Sequence, residues 1–81
     1  MDFEVITFDG HEFWERFMEF YNTKPHLVKN KHHIHDEEGQ KANAELGLQF
    51  IAVYTEISER YFRFKIIDKQ RWMLTKIKYG I

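Results

Sequence analysis

The sequence predicts an α+β fold: a small two-layer domain in β-α-α-β-β order, with two helices on one face of an antiparallel sheet that ends in a C-terminal β-hairpin. Three patterns carry that expectation. A β-branched run, Val5-Ile6-Thr7, precedes an amphipathic stretch from Asp9 to Asn22; a long apolar stripe occupies mid-chain; and two alternating segments flank Asp68-Lys69-Gln70-Arg71. The 81 residues read as a single domain, 1–81, with no linker, repeat or low-complexity tract. Its 17% aromatic content is what lets so short a chain build a core.

Phe3 to Phe8 reads as the first strand. Asp9 follows as a helix N-cap, with Glu12 three residues on as in a capping box, and Phe8 and Phe13 at the staple positions. At about 100° per residue, Phe13, Trp14, Phe17, Met18, Phe20 and Tyr21 share one side of a helix. Glu12, Glu15 and Glu19 lie on its polar side. Asn22-Thr23-Lys24-Pro25 ends it, because a residue before proline avoids the α region. Residues 26–38 read as a polar surface loop, with a short strand through Leu27 and Val28 as an option.

Residues 36–59 carry two signals. Ala42, Leu46, Phe50, Val53, Tyr54 and Ile57 form a helical stripe, while Ile51, Val53, Thr55 and Ile57 alternate as in a strand. The helix is preferred because the stripe persists over four turns; Gly47 weakens it by about 1 kcal/mol. Whether 48–57 is helix or strand stays open at this level. Arg60–Asp68 and Arg71–Tyr79 then read as a hairpin, with Phe62, Phe64, Ile66, Met73, Thr75 and Ile77 on its core face.

Charge is segregated along the chain. Residues 60–79 hold seven basic side chains and one acid, a net +6, whereas residues 1–23 hold six acids against Arg16, a net −5. A separation of that kind directs a chain toward partners of opposite sign. On the expected hairpin, Tyr61, Arg63, Lys65, Trp72, Leu74, Lys76 and Lys78 share the outward face. Trp, Tyr and Arg are the usual anchors of protein interfaces, and the same set can stack on bases and meet phosphates. The bland reading is that these side chains lie over their own apolar neighbours and pair with acids of the first helix. Glu12, Glu15 and Glu19 form a secondary acidic surface able to face a basic site on another protein.

Other chemistries have little to stand on. Without cysteine there are no disulfides and no thiolate-held zinc or iron–sulfur cluster. The chain shows no glycine-rich phosphate loop and no G-x-S-x-G elbow, so no enzyme is predicted. Small ribonucleases of toxin systems have a comparable size and helix-then-hairpin order, but no catalytic residue set of theirs can be matched here. His32, His33 and His35 are weak metal candidates: an extended segment puts only His33 and His35 on one side, where a structural zinc site needs four ligands. No metal or other cofactor is expected. The acidic N-terminus is unlike a signal peptide and no apolar run approaches about 20 residues, so the expectation is a cytoplasmic protein that leaves membranes alone.

The function predicted is therefore a non-catalytic protein-binding module, a small regulator or inhibitor of the phage or mobile-element type, docking on a larger protein through the basic, aromatic hairpin face. A nucleic-acid-binding module using the same face is the alternative, and a small nuclease or metal-dependent enzyme using the histidines is the second. A homodimer through the last strand, Arg71–Tyr79, is the expected route to self-association, opposed by its lysines.

Overall fold

The computed structural model describes residues 3–24 and 34–80, in the order β1 (Val5–Asp9), α1 (Gly10–Asn22), α2 (Glu37–Glu45), β2 (Leu48–Glu56), β3 (Glu59–Ile66) and α3 (Lys69–Tyr79). The fold is α+β, and the β-α-α-β-β order holds with a third helix added after it. All strand pairs are antiparallel and the sheet order is β1-β3-β2.

The first corner forms as its residues dictate. The Asp9 carboxylate accepts from the amides of His11 and Glu12 at 2.9 and 3.0 Å, which satisfies two of the free amides that begin α1. The Phe8 and Phe13 rings close the corner at 5.2 Å. Phe13, Phe17 and Tyr21 face inward from α1, where Phe13 stacks on Phe64 at 4.7 Å.

Two expectations about the second half need correction. The mid-chain helix stops at Glu45, and residues 48–56 are strand β2. The expected C-terminal hairpin is displaced: the hairpin joins β2 to β3, and residues 69–79 form α3 instead of a strand. Gly47 makes the first change possible, because its φ of +85° turns the chain from α2 into β2. The second follows from capping. Asp68 accepts from the Arg71 amide at 3.1 Å, and Gly80 closes the far end at φ +70°. With Arg71–Tyr79 helical, the proposed dimer through a last edge strand has no strand to use. The expected core residues Met73 and Ile77 are exposed for the same reason, while Phe62, Phe64 and Ile66 are buried as read. The optional strand at Leu27 and Val28 lies outside the described residues.

The core sits between one sheet face and the helices. Phe62, Phe64 and Ile66 of β3 and Leu48 and Phe50 of β2 meet Phe13, Phe17, Tyr21, Ala42 and Trp72. A polar chain runs through it: Tyr21 donates to Asn43 Oδ1 at 2.5 Å, and Asn43 Nδ2 donates to Ile34 O at 2.8 Å. Burial, with Tyr79 nearby, pushes the Tyr21 phenol pKa up, so it remains a neutral donor. Gln40 meets the outer margin of β2, donating to Phe50 O at 2.8 Å while its own oxygen accepts from Phe50 N at 2.8 Å.

The hairpin turns at Ile57-Ser58, and Ile57 holds φ +58° while 99% exposed. A β-branched side chain in the left-handed region costs about 1–2 kcal/mol, part of which glycine recovers. Ile57→Gly is expected to raise the melting temperature by about 4 °C in a thermal circular-dichroism scan. An unchanged or lower midpoint shows that the turn carries no such strain.

Candidate functional site

The basic quarter of the chain is split between two surfaces. Tyr61, Arg63 and Lys65 alternate outward on β3, on the sheet face that the helices leave open. Trp72, Leu74, Lys76 and Lys78 belong to α3 on the opposite side of the sheet, since Trp72 meets Phe8, half-buried against the core, at 6.0 Å. The seven residues expected on one face therefore do not come together. Sharing one face there requires a strand period of two, whereas the backbone of α3 turns once every 3.6 residues.

Trp72 itself is core, 5% exposed, and leaves the docking set. Thr75 joins it inward, its hydroxyl 2.8 Å from Arg71 O and 3.1 Å from Leu46 O. Tyr79 packs on Phe17 at 5.0 Å, and the Arg16 guanidinium donates to Tyr79 O at 2.9 Å, tying the end of α3 to α1. These contacts fix which side of α3 faces out. Met73, Leu74 and Ile77 occupy it, 58%, 61% and 74% exposed. They fall within about 100° of helical arc, with Lys69 and Lys76 on one flank and Arg71 and Lys78 on the other.

Among the described residues, Lys69, Lys76 and Lys78 have no carboxylate partner, and Arg71 reaches Asp68 at 3.5 Å. The acids of α1 do not meet them: Glu12, Glu15 and Glu19 are exposed on α1, and Glu15 faces His11 at 3.1 Å. A shallow depression of about 290 Å³ borders the stripe, lined by Leu46, Arg71, Leu74, Thr75 and Lys78 among others.

On the open sheet face the register places Lys65 between Val5 and Gln49, Arg63 between Thr7 and Ala52, and Tyr61 between Asp9 and Tyr54. Tyr54 and Tyr61 stack at 5.3 Å, and the Arg63 guanidinium lies 5.3 Å from the Tyr54 ring. Lys65 Nζ sits 4.3 Å from the Phe3 ring. Tyr61 donates to Glu59, and that hydrogen bond first, then partial desolvation, then the carboxylates of Glu59, Glu56 and Asp9, push its phenol pKa up to about 12. The hairpin end of this face is thus acidic and the other end basic.

A concavity of about 620 Å³ lies beside the hairpin turn and includes Asp9, His11, Glu12, Glu59 and Arg60 in its lining. The Asp9 carboxylate is occupied by the α1 amides and His11 by Glu15, so this cleft presents no free acid–base pair from them. His35 is exposed, its ring 5.8 Å from Phe50, whereas His32 and His33 lie outside the described residues. No group of three or more His, Asp or Glu able to hold a metal ion occurs among the described residues. No described helix is long and apolar enough to cross a membrane.

Comparison with protein-family models, curated proteins and solved structures finds no match.

The sequence reading missed Met73, Ile77, Lys69 and Arg71 as surface residues of one helix. The signal was present as Asp68 before the segment, Gly80 after it, and apolar residues at 73, 74 and 77.

Proposed function

We propose that this chain is a non-catalytic protein-binding module, a small regulator that docks on a larger protein through α3. One observation carries the reading: Met73, Leu74 and Ile77 form an apolar stripe on the solvent side of a helix whose other side is already packed. A helix laid into an apolar groove uses anchors of this spacing. Each such side chain gains about 1.5–3 kcal/mol on full burial, enough to offset part of the cost of association.

The flanking charges specify the groove. Lys69 and Lys76 on one side and Arg71 and Lys78 on the other call for a rim of Asp and Glu. They also disfavour α3 pairing with α3 of a second copy, which sets lysine against lysine. Nucleic acid suits the stripe less well, because three apolar side chains stand where phosphates need cations.

The test begins with Leu74→Glu combined with Ile77→Glu, two exposed positions whose change leaves the circular-dichroism melt within about 0.5 kcal/mol of the parent. Proteins from the native host captured by the parent and not by the variant are identified by mass spectrometry, then purified for direct binding. The expected result is a loss of affinity of about 100-fold or more in the variant, with Lys76→Glu plus Lys78→Glu acting mainly on the association rate. A labelled oligonucleotide bound at low salt, lost on the lysine changes but kept by Leu74→Ala, replaces this reading with the nucleic-acid one.

A further inference from the structure

We infer that the open face of the sheet is a self-pairing surface, on which two copies of this chain stack face to face about a two-fold axis. The inference is independent of α3, which lies in the opposite layer. Helices cover one face of the sheet, while Phe3, Val5 and Tyr54 on or beside the other face stay exposed. Apolar and aromatic surface of this kind on a sheet is what sandwiches bury between layers.

The charges on this face name the occupant. At the hairpin end Glu56 stands directly across from Glu59, and like charges opposed on neighbouring strands repel. Two and four residues beyond Tyr61 on β3, Arg63 and Lys65 follow each other on the same face. Among the described residues, none of these four side chains has an oppositely charged partner within 4.0 Å. A partner of one sign relieves one end and aggravates the other. A nucleic acid, uniformly negative, meets Glu56 and Glu59 as readily as Arg63 and Lys65.

A second copy relieves both ends at once. With the two-fold axis lying between the sheets and running across the strands, strand direction reverses and β3 faces β3. Glu59 of one copy then lies over Lys65 of the other, and Tyr61 over Arg63. The stacked Tyr54 and Tyr61 rings supply the aromatic surface on which the incoming guanidinium rests. Facing sheets pack about 10 Å apart, a gap that paired Lys and Glu side chains bridge. The footprint is roughly 27 by 14 Å at ordinary strand dimensions, small for a specific interface, so the pair forms and separates with concentration.

Sedimentation equilibrium of the whole chain over micromolar to millimolar concentration tests the inference. The parent is expected to pass from monomer to dimer mass, with association about tenfold weaker in high salt because the ion pairs occur twice. Glu56→Lys with Glu59→Lys makes the charged side chains of β2 and β3 on this face all basic, and Arg63→Glu with Lys65→Glu makes them all acidic. Each double variant alone stays monomeric while keeping the parental circular-dichroism spectrum, and an equimolar mixture of the two restores the dimer mass. A parent that remains monomeric throughout, or double variants that dimerise singly as well as the parent does, overturns the inference. Dimerisation abolished by Leu74→Glu with Ile77→Glu also overturns it, by moving the contact to α3.

Discussion

Gly47→Ala is expected to lower the melting temperature by more than about 10 °C, because two separate penalties fall on one methyl group. The first is conformational: φ at Gly47 is +85°, where an L side chain costs about 1–2 kcal/mol. The second is steric. A Cβ there meets Asp68 O at 2.6 Å and Trp72 N at 2.7 Å, both backbone atoms of the α3 entry. Forcing such atoms apart adds about 1–3 kcal/mol. Gly47 O also accepts the Ile67 amide at 2.9 Å, so movement of the turn disturbs the connection from β3 into α3. Denaturant melts of parent and variant measure the sum, and a midpoint change corresponding to less than about 1 kcal/mol contradicts the close approach.

Trp72→Ala is the second large effect, a destabilisation of about 3–5 kcal/mol. The indole is buried at 5% exposure against Phe8, in the seam between α3 and the sheet. Leu74→Ala, two residues on and 61% exposed, is expected to stay within about 0.5 kcal/mol of the parent. The contrast reports directly on the helix. A hairpin strand puts residues 72 and 74 on the same face and gives them similar costs, so equal destabilisation of the two variants refutes α3.

That contrast also shows where sequence reasoning succeeded and failed. The β1–α1 corner was legible because its determinants are local: Asp9, the amides two and three residues on, and the Phe8–Phe13 contact all lie between residues 8 and 13. Strand β2 was misread as helix for a definite reason. A bulge between Phe50 and Ala52 shifts the register, so Phe50 pairs with Phe64 while Val53, three residues on, pairs with Phe62. Phe64 and Phe62 both face the core, so Phe50 and Val53 share a side at a spacing of three, which imitates a helical stripe. The α3 segment was misread because its apolar residues surround the helix: Trp72 is buried, and Met73, Leu74 and Ile77 are not. A helix with apolar side chains both inside and out shows no clean 3.6-residue period. The candidate surface was accordingly half legible. Leu74, Lys76 and Lys78 were picked out by charge and character, but their true neighbours Met73 and Ile77 had been assigned to the core.

The amide of Gln40 copies the hydrogen-bonding group of a peptide plane, and it lies against Phe50 as the backbone of another strand would. A sheet margin normally recruits by offering such positions to any extended chain, which is how strands from many molecules join into fibrils. At Phe50 that offer is already taken, by a side chain that leads nowhere. Helix α2 therefore does more than cover the core: it limits how far one sheet can grow from β2.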